Sequence, residues 1–279
     1  MPHPLVTAAE LAALLDAEAP PIVLDVRWRL DAPDGRAAFE QGHVPSAQYV
    51  SLDDDLAAHG APTDGRHPLP APDVFAETVR RWGVSEGDTV VVYDDWLTYG
   101  AARAWWMLTD AGIPARVLDG GLAAWRDAAL PLEPGPGTPR APGTVTVTSG
   151  LLPQLDIDEA AALAGTGILL DVRAPERYRG DTEPIDPRAG HIPGAINSPT
   201  VDSNAADGRF LPPEELRARF VSAGARADEP VGIYCGSGVS ASHAALALTL
   251  AGFTPALFVG SWSQWANHPD RPAAVGARP

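Results

Sequence analysis

Short apolar runs bounded by proline, glycine or aspartate punctuate the chain at residues 21–26, 88–93, 114–118 and 231–234. They are nearly continuous rather than alternating, the pattern of strands buried on both faces of a parallel sheet. Stretches of helical periodicity separate them. Thr7-Ala8-Ala9-Glu10 reads as a capping box opening a helix with Leu11, Leu14 and Leu15 on one face. Residues 72–82 have Pro72 in the first turn and Gly83 just past the end, and residues 101–111 and 241–250 are also helix-prone. Strands and helices in alternation predict a mainly parallel sheet flanked by helices.

The pattern then repeats. Leu24-Asp25-Val26-Arg27 returns as Leu170-Asp171-Val172-Arg173, and Gly42-His43-Val44-Pro45 as Gly190-His191-Ile192-Pro193. Asp64-Gly65-Arg66 returns as Asp207-Gly208-Arg209, the strand ending at Tyr93 as the one ending at Tyr234, and Gly120 and Trp125 as Gly260 and Trp265. So many landmarks in one order mark a tandem duplication. Between the copies lies a proline- and glycine-rich stretch, Glu133-Pro134-Gly135-Pro136-Gly137 and onward, of the kind that joins domains. We therefore expect a first domain over 1–135, a linker over 136–149 and a second domain over 150–279. The copies differ where the second has Cys235-Gly236-Ser237-Gly238 and the first has Asp94-Asp95-Trp96-Leu97. Two carboxylates would repel a bound anion and Trp96 is expected to fill the space, so the first copy should be inactive. Trp105 and Trp106 read as packing residues.

Composition narrows the function classes. The net charge is −16 and every basic residue is arginine, which argues against nucleic acid or an anionic membrane as partner. No apolar run is long enough to span a bilayer, and Met1-Pro2-His3-Pro4-Leu5 does not read as a secretion signal. The single cysteine, Cys235, cannot form an internal disulfide or build a cysteine-rich zinc site. A cytoplasmic enzyme or binding protein without a metal centre is expected.

Cys235 stands where a strand ends, two glycines follow and a helix begins. In a parallel sheet this is the carboxyl end, where ligands bind. The helix dipole and inward-pointing N–H groups of such a loop favour a negative sulfur; the competing reading is a buried structural thiol. Dithiol exchange needs a second cysteine two positions on, where Ser237 stands. A cysteine phosphatase closes its loop with an arginine where this chain has Ala241. A cysteine protease needs a base oriented against the thiol, and neither His43 nor His191 sits in a protease signature. Carriage of sulfur as a persulfide needs one activated cysteine and an N–H-lined pocket, with neither metal nor organic cofactor. It uses every feature present.

On these residues the chain resembles the tandem-domain rhodanese (sulfurtransferase) family, from about Val6 to Trp265. The resemblance implies an α/β fold of two tandem rhodanese-like domains, each a mainly parallel sheet flanked by helices. The loop Cys235-Gly236-Ser237-Gly238-Val239-Ser240-Ala241 is similar to that of the 3-mercaptopyruvate sulfurtransferases, with Ser240 where they typically read threonine. It implies that Gly236, Gly238, Val239, Ser240 and Ala241 line the substrate with their N–H groups. Thiosulfate-preferring relatives carry arginine and lysine where Gly236 and Ser237 stand, so this loop is expected to lack a fixed cation. Arg177 falls on the family's first substrate arginine. Arg188, displaced by one inserted residue, falls on the second, with Arg179 as its competitor. A Ser–His–Asp relay maps onto Ser237, His43 and Asp34, the last fitting better than Asp31, and His191 reads as structural. This mapping places the site in a cleft to which the first domain contributes. The implied activity is transfer of a sulfane sulfur from the small-molecule donor 3-mercaptopyruvate, through a Cys235 persulfide, to a thiol, thioredoxin or cyanide. The alternatives are a thiosulfate:cyanide sulfurtransferase and a non-catalytic persulfide carrier.

Overall fold

The computed structural model describes residues 3–279. The chain forms two compact units. Unit 1 holds the chain up to Ala58, Pro70–Leu151 and Ala206–Phe210; unit 2 holds His59–Leu69, Leu152–Ala205 and Leu211–Pro279.

Unit 1 contains the strands β1 (Leu5–Val6), β2 (Ile22–Asp25), β3 (Gln48–Tyr49), β4 (Val90–Tyr93) and β5 (Ala115–Leu118). Every pairing is parallel, in the order β1-β5-β4-β2-β3. Its helices are α1 (Ala8–Leu15), α2 (Arg36–Gln41), α3 (Leu52–Asp55), α4 (Pro72–Arg81), α5 (Tyr99–Asp110) and α6 (Gly121–Asp127). Unit 2 repeats the plan with β6 (Gln154–Leu155), β7 (Ile168–Asp171), β8 (Ile196–Asn197), β9 (Val231–Tyr234) and β10 (Pro255–Phe258). These strands are again parallel, in the equivalent order β6-β10-β9-β7-β8. Its helices are α7 (Ile157–Thr166), α8 (Pro175–Arg179), α9 (Pro213–Ser222), α10 (Val239–Leu250) and α11 (Ser261–Ala266).

Local chemistry accounts for these elements. The strands β2, β4 and β9 are buried along their whole length, as continuous apolar runs require. Capping boxes at Thr7 and Asp156 open α1 and α7, and Pro72 occupies the first turn of α4. One core gathers Leu11, Val91, Tyr93 and Trp125, the other Leu169, Tyr234, Phe258, Trp262 and Trp265. Trp105 and Trp106 are both buried.

The repeated motifs explain themselves in the same way. In unit 1, Arg27 pairs with buried Asp25 and donates to the Gly42 carbonyl; in unit 2, Arg173 pairs with Asp171 and donates to the Gly190 carbonyl. Each Asp–Arg pair therefore ties the carboxyl end of a central strand to the Gly-His loop. A buried ion pair is tolerable only when its remaining donors are satisfied, which the glycine carbonyls achieve.

Residues 136–149 form neither strand nor helix and run along unit 1, where Gly143 N–H donates to Arg80 O and Val145 N–H to Val84 O. Two segments join the unit other than their own repeat's. Asp64-Gly65-Arg66-His67 belongs to unit 2, and Asp207-Gly208-Arg209 to unit 1, where Phe210 N–H donates to Asp119.

Candidate active site

Unit 2 sets Cys235 directly after β9 and pins it from several directions. The Cys235 N–H donates to Ser261 Oγ at 3.1 Å, and its carbonyl accepts the Trp262 N–H. The Gly236 carbonyl accepts the Ser263 N–H. The first turn of α11 therefore holds the loop's backbone. Gly238 adopts φ +83° as the left-handed cap of α10, a conformation open to glycine at little cost. Its N–H points at Cys235 Sγ, 3.1 Å away. The thiol is only 1% exposed and sits at the electropositive end of α10, whose first residues are Val239, Ser240 and Ala241. The helix starts two residues ahead of the expected stretch because Gly238 caps it at once.

The segment before α4 completes the site. Gly65 has φ +88°, and a Cβ there would stand 2.8 Å from Gly260 O, so the chain passes very close to the start of α11. Arg66 N–H donates to Ser263 Oγ at 3.1 Å. This clip aims two consecutive side chains at two consecutive loop residues. His67 Nδ1 lies 2.8 Å from Ser237 Oγ in a hydrogen bond whose direction follows the imidazole tautomer. Arg66 reaches over Gly236: a Cβ on that glycine would stand 3.0 Å from Arg66 Nη2 and 3.3 Å from Arg177 Nη1.

Carboxylates back the two arginines. Arg66 pairs with Asp186, and Arg177 with Glu183 at 2.7 Å and Asp186 at 3.5 Å. Burial pushes the Asp186 carboxyl above its ordinary range, against the pull of Arg66. Glu183 also meets Arg173 at 3.4 Å, tying the cluster to the Asp171–Arg173 pair. His243, on α10, bonds Thr200 Oγ1 at 2.7 Å, and burial pushes its pKa down to about 3, so it is neutral.

Several expected residues lie elsewhere. His43 is fully buried in unit 1, its Nδ1 on Phe39 O at 3.0 Å and its ring stacked on Phe39 at 3.9 Å. His191 has the same setting in unit 2, with Tyr178 O at 2.8 Å and the Tyr178 ring at 3.7 Å. The two are structural twins, and the imidazole on Ser237 is His67 instead. Asp34 is exposed in unit 1, accepting from the Tyr49 hydroxyl and the Arg36 N–H. Arg188 donates to the carbonyls of Ala266, Arg271, Trp265 and His268, where it caps the end of α11. Arg179 pairs with Asp181 at the surface. The expectation of a loop without a fixed cation is also corrected, because Arg66 and Arg177 both stand at Gly236.

One signal for His67 was present in the sequence. Asp64-Gly65-Arg66 is followed by histidine, whereas its repeat Asp207-Gly208-Arg209 is followed by Phe210.

The equivalent loop of unit 1 is filled by its own side chain. Asp94 follows β4 as Cys235 follows β9, and its carboxylate accepts the N–H groups of Trp96, Thr98 and Ala101. Trp96 does not fill the space as expected; it is 39% exposed, edge-on to Tyr99. Complete burial raises the Asp94 pKa to about 7, outweighing the three N–H donors that favour the anion.

The model for the rhodanese-like domain matches residues 7–128 and again 156–268. The chain is 50% identical over 276 residues to a Mycobacterium tuberculosis protein named "Putative thiosulfate sulfurtransferase SseB", covering 98% of this chain and 97% of that one. It is 46% identical over 283 residues to a Pseudomonas aeruginosa protein named "Probable 3-mercaptopyruvate sulfurtransferase", covering 98% of each. The crystal structure of SseA from Escherichia coli, described as a 3-mercaptopyruvate sulfotransferase, superposes with a TM-score of 0.82 at 30% identity, covering 93% of this chain and 98% of that one.

Proposed function

The chain belongs to the rhodanese family, and from that premise we propose that it is a sulfurtransferase that takes a sulfane sulfur from 3-mercaptopyruvate onto Cys235. The Cys235 thiolate attacks the donor sulfur. A new S–S bond forms, the C–S bond breaks, and its electron pair leaves as the enolate of pyruvate. The proton lost from the donor thiol is the one the enolate carbon must gain. Ser237 and His67, hydrogen-bonded two residues from the cysteine, supply a route between those positions. The Gly238 N–H at Cys235 Sγ and the amino end of α10 favour negative charge on the persulfide. An acceptor thiol, a reduced thioredoxin or cyanide attacks the outer sulfur and releases the Cys235 thiolate. This chemistry suits a reducing, cytoplasmic setting; among the described residues no helix is long and apolar enough to cross a membrane.

The Ser237–His67 hydrogen bond carries the choice of donor. Thiosulfate releases sulfite, which needs no proton at departure, so a proton relay beside the nucleophile serves the keto acid. A second reading, thiosulfate as donor, draws on Arg66 and Arg177 at Gly236, since a dianion benefits from two cations. Steady-state kinetics with both donors on one preparation separate them. We expect kcat/KM for 3-mercaptopyruvate to exceed that for thiosulfate by about tenfold, a gap of roughly 1.4 kcal/mol. A larger value for thiosulfate replaces the first reading by the second. Incubation with donor should add the mass of one sulfur atom to the wild type and nothing to Cys235→Ser; acceptor-labile sulfur on that variant would end the persulfide mechanism.

A further inference from the structure

We propose that Arg66 is the second donor-binding cation of this site: with Arg177 it forms a guanidinium pair over Gly236 that takes the anionic group of the sulfur donor, while Asp186 occupies the pair until the donor arrives. The inference rests on the sulfurtransferase reading and deepens it.

Four observations carry it. Gly236 has no side chain, and the tips of Arg66 and Arg177 stand 3.0 and 3.3 Å from where its Cβ would be, beside the nucleophile. The Arg66 backbone is clipped to Ser263, the residue whose N–H also holds the Gly236 carbonyl, so cation and loop share one anchor. The Nε–H groups of Arg66 and Arg177 are both buried and find no acceptor among the described residues, leaving each guanidinium with unused donor capacity. Finally, Arg188 spends its donors on backbone carbonyls and is not available for a ligand.

A carboxylate or thiosulfonate matches a guanidinium fork in shape and charge. Asp186 is the resting counter-ion because it touches both arginines. It also has room to withdraw: Arg66 and Asp186 line a cavity of about 370 Å³ together with Gly65, Ile185, Pro187 and Asn267. A lysine-free chain with a glycine beside its nucleophile thus draws its cation from the segment that also carries His67.

Alkylation of Cys235 by iodoacetate and by iodoacetamide tests the pair without any donor. The same sulfur attacks the CH2 carbon of either reagent and displaces iodide, so changes in thiol reactivity cancel in the ratio of rates and only recognition of the carboxylate remains. Arg66→Gln should lower the iodoacetate-to-iodoacetamide ratio about tenfold, the loss of one charge-assisted contact. Gly236→Ala should lower it too, because its Cβ displaces the arginine tips while Gly236 itself does not need a left-handed backbone. Asp186→Asn should raise it. An unchanged ratio in either folded arginine-displacing variant overturns the proposal, as does a lowered ratio in Asp186→Asn. With donor, Arg66→Gln should raise KM more than it lowers kcat; the reverse split is also fatal. If neither donor places sulfur on wild-type Cys235, the sulfurtransferase reading fails, and the alkylation ratio still decides the role of Arg66.

Discussion

Ser237 and His67 share a 2.8 Å hydrogen bond although they lie 170 positions apart in the chain. His67→Gln keeps a group that can bond the serine but cannot carry a proton. Its kcat with 3-mercaptopyruvate should fall by about a hundredfold, the lower end for loss of general acid–base help. Turnover with thiosulfate should fall much less. Equal losses with the two donors would reject the relay.

His43 and His191 should behave as a pair. Each bonds a buried carbonyl and stacks on an aromatic ring, so replacement by alanine leaves that carbonyl unpaired and opens a gap. We expect each variant to lose about 1–3 kcal/mol in denaturant titrations, with the folded His43→Ala protein turning over close to wild type. A catalytic loss specific to His43→Ala would restore it to the relay.

Arg188 and Arg177 should separate stability from activity. Arg188→Ala removes a charged donor from several carbonyls at the end of α11 and should cost about 3 kcal/mol or more in unfolding free energy. Arg177→Ala, at a half-buried position beside Gly236, should change the melting temperature little while lowering kcat/KM for 3-mercaptopyruvate by about tenfold or more. Calorimetry paired with kinetics checks both, and the opposite assignment of losses would refute the distinction.

Asp94 predicts a pH dependence of unit 1. Burial raises its pKa from 3.8 to about 7, so the folded state holds the proton more tightly than the unfolded chain. That contribution is complete below the unfolded value and is lost as pH rises through about 7. Asp94→Asn cannot titrate. Its stability relative to wild type should therefore climb between pH 4 and 7 by on the order of a few kcal/mol. Urea titrations at several pH values provide the measurement, and parallel profiles for the two proteins would contradict the shift.

Much of the fold was legible along the chain because it depends on local chemistry. Continuous apolar runs became the central strands, Thr7 capped the helix that follows it, and Pro72 opened α4. The tandem repeat needed only the recurrence of Asp25–Arg27 and Gly42-His43 as Asp171–Arg173 and Gly190-His191. Cys235 stood out for the same reason, since strand, glycine turn and helix are neighbours in sequence.

Tertiary structure decided which distant side chains meet that cysteine. His43 and His67 are both histidines of the first repeat, and nothing in their spacing says that residues 59–69 cluster with unit 2 while residues near 43 build the core of unit 1. Arg188 matched a substrate motif, yet the carbonyls at the end of α11 took its donors; Arg66 stood only in a repeat landmark, yet the bare Cα of Gly236 left space for its guanidinium. Asp94 likewise filled its own N–H cradle through a turn geometry that the residue types alone do not specify. Periodicity and turn propensity act over a few residues and can be read from the chain. The partner of a buried donor depends on which acceptors folding brings within about 3 Å, and that distance exists only in three dimensions.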